Sequence, residues 1–87
     1  MAARIEYKAS VEKDLKKLGR AAAERILRKV EQVLASEGLH SDPLSGEFAG
    51  LFRLRVADYQ VIYARTDEGY LVLRIGHRRD IYKRRQP

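Results

Sequence analysis

The sequence contains no cysteine in its 87 residues. That absence excludes disulfides, thiolate chemistry and cysteine-based metal sites. Small secreted domains usually depend on such crosslinks, so we expect a protein of the reducing cytoplasm. The chain also lacks an apolar run long enough to cross a bilayer, and its first residues lack the apolar core of a signal peptide. No spacing of histidines and carboxylates is typical of a metal site, and we expect no cofactor.

Carboxylates are scarce in one part of the chain. The formal net charge is +6, and from Leu71 onward Asp80 is the only acidic residue. The basic residues of this segment are Arg74, Arg78, Arg79, Lys83, Arg84 and Arg85. A localised positive excess favours polyanionic partners such as nucleic acid, anionic lipid or an acidic protein.

The first half of the chain has the pattern of two helices. Ser10 is typical of an N-cap, and Gly19 can end the first helix in the left-handed conformation. The second helix begins at about Arg20 or Ala21 and runs to about Glu37. Its apolar positions at helical spacing are Ile26, Val30, Val33 and Leu34. Two helices joined at Gly19 form an antiparallel hairpin that can cover one face of a small sheet.

The remaining segments predict strands. Arg4–Lys8 alternates charged and apolar residues, and Gly50–Tyr63 is interrupted only at Ala57 and Asp58, which is typical of a β-hairpin. Tyr70–Ile75 is apolar nearly throughout and is expected inside the sheet. With 45% hydrophobic residues, residues 1–87 are expected to form a single domain. The predicted α+β fold is an N-terminal strand, a helical hairpin and a three-stranded antiparallel meander, with the helices on one sheet face.

One arm of the hairpin alternates without a break. Phe52, Leu54 and Val56 are apolar, and Arg53 and Arg55 stand between them. Successive side chains of a strand point to opposite faces, so the apolar row packs the core and the guanidiniums point away from it. We expect an open sheet face that presents this pair to a partner.

Two motifs resemble the RelE/ParE superfamily of bacterial and archaeal toxins. They are Leu-Phe-Arg-Leu-Arg-Val-x-Asp-Tyr-x-Val-Ile-Tyr and, near the C-terminus, Gly-His-Arg-x-x-Ile-Tyr. The helical hairpin also fits, so the resemblance covers almost the whole chain. It implies a RelE-like, microbial-RNase-like fold. RelE-like members cut messenger RNA in the ribosomal A site, ParE-like members poison DNA gyrase, and a cognate antitoxin inactivates both.

The resemblance also implies the residues of an RNA site. Arg53 and Arg55 match the basic strand pair of the RelE branch, Arg78 matches a further arginine, and Tyr82 matches a tyrosine. Gln60 stands where that branch commonly has arginine, which removes one positive charge from the expected RNA-binding set. The other expected RNA-binding residues are Arg79, Lys83, Arg84 and Arg85.

The chemistry assigns roles within this set. Attack by a ribose 2′-OH needs a base, an acid and donors for the charge on the phosphate. Arginine cannot carry protons, but its fork suits phosphate oxygens, so Arg53, Arg55 and Arg78 are charge stabilisers. Tyr82 is a candidate base or stacking platform. His77 is a candidate acid because imidazole exchanges protons near neutral pH, although a ring hydrogen bond to backbone is an equal alternative.

These inferences predict a toxin of a type II toxin–antitoxin system that acts as a metal-independent endoribonuclease on messenger RNA held by the ribosome. Its partners would be that RNA and a cognate antitoxin protein, with operator DNA contacted only through the antitoxin and no role for a membrane. The main alternative is a ParE-like inhibitor of DNA gyrase without nuclease chemistry. A third is a degenerate, non-toxic family member.

Overall fold

The computed structural model describes residues 4–35 and 41–77. The strands and helices, in chain order, are β1 (Arg4–Tyr7), α1 (Ala9–Leu18), α2 (Arg20–Ala35), β2 (Asp42–Pro43), β3 (Leu51–Val56), β4 (Tyr59–Arg65) and β5 (Gly69–His77), with one short 3-10 turn at Gly46–Phe48. The two helices and the five-stranded sheet give the α+β fold that the sequence predicts. Neither α1 nor α2 is long and apolar enough to span a membrane.

The strands lie in the order β1-β5-β4-β3-β2. β1 is parallel to β5, and the other neighbouring strands are antiparallel, so β3, β4 and β5 form the predicted meander. The prediction that the most apolar strand lies inside the sheet is confirmed, because β5 has a neighbour on each side. Gly69 of β5 pairs with Arg4, and a Cβ at this position would overlap the Arg4 backbone. The parallel junction therefore requires glycine there.

The helices and one sheet face enclose the core. The predicted apolar positions of α2 are all buried, at 0–6% relative exposure. Leu54 and Val56 of β3 pack against them, and the partly buried Phe52 packs at the edge of the same cluster. Burial of these rows fixes which face of each strand points inward. Arg53 and Arg55 therefore point to the other face, as the alternation predicts.

Some boundaries differ from the sequence-based expectation. α1 begins at Ala9, with Lys8 at the N-cap position and no side-chain capping bond, so Ser10 is not the cap. Lys8 takes this role because its amide donates to the Val72 carbonyl at 2.9 Å, which extends the β1–β5 pairing up to the helix. Gly19 does have positive φ (89°), but its ψ of 161° is extended rather than left-handed helical.

The segment between α2 and the hairpin contains a short strand that the sequence analysis did not predict. Asp42 and Pro43 form β2 and pair with Arg53 and Phe52 at the edge of the sheet. Two residues are too few for a hydrophobic period to appear, so only the pairing with β3 defines this strand. The end predicted for the second helix, at about Glu37, lies outside the described residues.

Beyond the last β1–β5 pair, a side chain of α1 takes the place of a neighbouring strand beside β5. A register shift lets Ile62 face Arg74 while Tyr63 faces Val72. Asp14 of α1 accepts a hydrogen bond from the Ile75 amide, with 3.0 Å between Oδ2 and N, and the same oxygen lies 3.5 Å from Arg74 Nε. The carboxylate thus satisfies a backbone donor that has no strand beside it.

Candidate active site

The sheet face turned away from the helices carries two cross-strand rows. We call it the arginine face and define it by Arg53, Arg55, Gln60, Ile62 and Arg74. Arg53 and Arg74 flank Ile62 on the neighbouring strands, and Arg55 lies opposite Gln60. Ile62 is 5% exposed and Gln60 4% exposed, yet neither belongs to the core cluster. The expectation of an open face is therefore confirmed only in part, because Ile62 and Gln60 are buried beside the arginines.

Arg53 is anchored by Asp42 of the short strand β2. Its Nη2 donates to Asp42 Oδ2 at 3.3 Å across the β2–β3 pair. The Arg53 side chain is only 25% exposed, whereas that of Asp42 is 58% exposed. The guanidinium is thus held in one position, and a phosphate that binds it must share it with a carboxylate.

Arg74 is a third cation of this face that the sequence analysis did not assign to the site. Its ion pair with Asp14 spans 60 residues of sequence, and the Asp14 side chain is 14% exposed. An arginine within an otherwise apolar strand was the available signal. Its position opposite Ile62 became clear only from the register.

Arg55 differs from the other two arginines because it is exposed and makes no ion pair within residues 4–35 and 41–77. It borders a small cleft of about 40 Å³ at the β3–β4 turn, together with the turn residues Ala57 and Asp58 and with Tyr59 and Gln60 of β4. Gln60 Oε1 is buried there without a hydrogen-bond partner in the described part of the chain. The cleft therefore combines a free guanidinium fork with an unsatisfied acceptor.

His77 does not join this group. It pairs with Tyr59 across β4 and β5, and the two rings meet edge to face with their centroids 6.0 Å apart. Tyr59 packs against the core cluster, so the His77 ring lies on the helix side of the sheet. The strand predicted at Tyr70–Ile75 continues to His77, and alternation then turns this side chain away from the arginines. The geometry gives no support to His77 as the acid.

The remaining predicted residues lie outside the described part of the chain. They are Arg78 and Tyr82 of the catalytic set and Arg79, Lys83, Arg84 and Arg85 of the RNA-binding set. Their roles stay predictions.

The tyrosines with altered acidity are not on the arginine face. Tyr63 stacks on Phe52 and meets Tyr70 edge to face, with ring centroids 5.5 Å apart in both pairs, and burial raises its pKa. Burial, assisted by the Glu31 carboxylate, also raises the pKa of Tyr7. A raised pKa disfavours the phenolate, so neither residue is prepared to act as a base.

Comparison with known proteins places this geometry in a family. Residues 5–82 match the family model described as the ParE toxin of type II toxin-antitoxin system, parDE. Among solved structures, the RelBE2 toxin–antitoxin complex from Mycobacterium tuberculosis is similar, with 26% identity, a TM-score of 0.79 and coverage of 88% of this chain and 99% of that one. The archaeal RelE–RelB complex from Pyrococcus horikoshii gives 28% identity, a TM-score of 0.70 and coverage of 90% and 97%.

A free RelE toxin mutant from E. coli has the same fold, with a TM-score of 0.73, 22% identity and coverage of 95% of this chain and 90% of that one. The curated protein sequences contain no match to the chain.

Proposed function

The chain belongs to the ParE toxin family of type II toxin–antitoxin systems, and from that premise we propose that it is an endoribonuclease acting on messenger RNA held by the ribosome. The proposal rests on the arginine face, where the side chains of Arg53 and Arg55 project from β3 on the side away from the core. A fixed guanidinium beside an exposed one suits a phosphodiester, since arginine forks bind phosphate oxygens through two parallel hydrogen bonds.

The residues of this face would supply charge stabilisation. Arg55 is free to engage a phosphate, and Arg53 is already oriented by Asp42. Donors that are positioned before the reaction stabilise the charge that develops on the phosphate without reorganising. The reaction as proposed draws this stabilisation from guanidiniums and needs no metal. Arg78 and Tyr82, which the resemblance assigns to the same site, would complete it.

Proton-transfer groups are few on this face. None of Arg53, Arg55, Gln60, Ile62 and Arg74 is an efficient acid or base near neutral pH. We therefore propose that the ribosome provides much of the catalysis by holding the message in a reactive geometry, a contribution that can reach about 7–11 kcal/mol in well-oriented reactions. Purified protein should then cut free RNA slowly.

Toxins of this type are paired with an antitoxin, and two of the similar structures are toxin–antitoxin complexes. We propose that a disordered antitoxin segment covers the arginine face. Acidic residues would pair with the cations, and apolar residues would cover the partly buried rim. Contact with operator DNA would then come through the antitoxin.

The test is primer extension on translated messages after induction of the protein. The proposal predicts cleavage within A-site codons for the wild type and its loss for Arg55→Ala. Arg28→Ala, on the exposed side of α2, is the matched control because it removes the same charge away from the face. Equal cleavage by both variants would contradict the assigned site.

A second candidate is the gyrase inhibitor. It is favoured by the matching family model, whose description refers to parDE. It is also favoured by the position of the His77 ring, which lies on the helix side of the sheet and not on the arginine face. This candidate predicts intact messages, trapped gyrase–DNA complexes and little effect of Arg55→Ala on toxicity. Failure to arrest growth would instead indicate a degenerate member.

A further inference from the structure

Gln60 lies at the end of the arginine face next to the β3–β4 turn, in an unusual state. It lies between Arg55 of β3 and Gly76 of β5 and is 4% exposed. Its carbonyl oxygen, Oε1, has no hydrogen-bond partner among the residues that the structure describes. Buried side-chain oxygens are nearly always paired, and an unpaired one loses its hydration without compensation. The oxygen is buried in the free protein, but Gln60 lines the cleft at the β3–β4 turn, so a rotation of its amide would bring the oxygen within reach of a donor from outside the fold.

The chemistry of the amide limits what that donor can be. An amide oxygen only accepts hydrogen bonds, and a phosphodiester has no hydrogen to donate. Gln60 Oε1 is thus unsuited to bind the phosphate itself. The neighbouring Arg55 has the opposite character, because a guanidinium only donates and suits phosphate oxygens. Residues directly opposite on antiparallel strands have Cβ atoms about 4.5–5.5 Å apart, so both groups can reach one nucleotide.

One group in RNA matches this pair. The ribose 2′-hydroxyl can donate a hydrogen bond and lies beside the 3′-phosphate of the same nucleotide, whereas DNA has no hydroxyl there. We propose that Gln60 accepts a hydrogen bond from the 2′-OH of the nucleotide whose 3′-phosphate is bound by Arg55, and that it thereby selects RNA. The inference rests on the proposed function. Gln60 takes no proton in this role; it binds and orients the attacking hydroxyl.

The experiment measures binding to a ligand that cannot be cut. Ribosomes are programmed with messages that end at the A-site nucleotide in a 3′-phosphate, with either ribose or 2′-deoxyribose at that nucleotide. Wild-type protein should bind the ribose form more tightly by a factor on the order of ten, the size of one hydrogen bond. Gln60→Met keeps the length of the side chain but cannot accept this bond strongly, so the preference should fall to about one.

Two controls separate the roles of the pair. Arg55→Ala should weaken binding of both messages by the same factor and keep the ribose preference. Gln32→Met, on the exposed side of α2, should leave both affinities and the preference unchanged.

A second readout tests the unpaired oxygen directly. If Oε1 lacks a partner in the free protein, Gln60→Met should leave the melting temperature unchanged or raise it, because it removes a buried oxygen that makes no hydrogen bond. A clear drop, with the ribose preference retained, would show that a bound water satisfies the amide and would overturn the inference. Retention of the preference in Gln60→Met alone would overturn it and leave the proposed function standing. Failure of wild-type protein to bind either message would overturn both.

Discussion

The two faces of the sheet use polar and apolar side chains in opposite ways. On the helix side, Leu54, Val61 and Ile75 are at most 2% exposed and pack into one continuous cluster. On the arginine face, Ile62 and Gln60 are buried beside arginines, and Gln60 Oε1 has no hydrogen-bond partner in the part of the chain that the structure describes. A buried polar group without a partner lowers stability, so the arginine face is not optimised for folding. The difference agrees with the proposal that one face stabilises the chain and the other binds a partner.

Two arginines of the arginine face form ion pairs with carboxylates from opposite sides of the sheet. Asp14 reaches Arg74 from α1 at one edge, and Asp42 reaches Arg53 from β2 at the other. The two carboxylates are not equivalent. Asp14 is largely buried and also accepts a backbone bond from Ile75, whereas Asp42 is mostly exposed. We infer that Asp14 stabilises the fold and that Asp42 mainly orients a side chain.

The largest expected effect is on the helix side. Leu54→Ala should lower the free energy of unfolding by about 2–5 kcal/mol, because it removes buried methyl groups and leaves a cavity. Urea denaturation monitored by circular dichroism measures the change. Toxicity should fall only in proportion to the loss of folded protein. If Leu54→Ala kept its stability but lost its activity, the helix side would also have a functional role, and the two faces would not differ as described.

The next effect should appear in activity and not in stability. Arg55→Ala should reduce cleavage of translated messages by a factor on the order of 100 or more, because one charge-stabilising donor is lost. Its melting temperature should match that of the wild type, since the side chain is exposed and without an ion pair in the described part of the chain. Arg55→Lys should recover part of the activity, as it restores the charge but not the fork.

A smaller effect is expected at the α1 edge. Asp14→Ala should cost about 1–3 kcal/mol of stability, because the Ile75 amide loses its acceptor. Asp14→Asn keeps a neutral acceptor and should cost less. If Asn and Ala cost the same, the ion pair with Arg74 and not the backbone bond would be the main contribution of Asp14.

The smallest effect is expected at the β2 edge. Asp42→Ala should change stability by no more than about 1 kcal/mol, as is typical of exposed ion pairs. Removal of this carboxylate also leaves more of the Arg53 charge for a phosphate, so affinity for programmed ribosomes should rise. A fall in affinity would show that Asp42 is needed to orient Arg53 more than it competes for it.

Sequence patterns were sufficient for the features that depend on periodicity. The apolar stripe of α2, the interior position of β5 and the outward direction of Arg53 and Arg55 all follow from residue spacing, and the structure confirms them. When one row of side chains in a strand is buried, the alternate row must point to the opposite face. The direction of Arg53 and Arg55 could therefore be predicted from the sequence.

The features that the sequence did not reveal depend on contacts between distant residues. The Asp14–Arg74 pair spans 60 residues, and β2 exists only because Asp42 pairs with Arg53. The side of the sheet on which His77 lies depends on the continuation of β5 past Gly76. Neither spacing nor composition encodes such a choice.

The most direct test of the central claim is the cleavage of translated messages by wild-type protein and by Arg55→Ala, mapped by primer extension. We expect cuts within A-site codons that disappear in the variant while its folded fraction is unchanged. Intact messages during growth arrest by the wild type, together with trapped gyrase–DNA complexes, would contradict it.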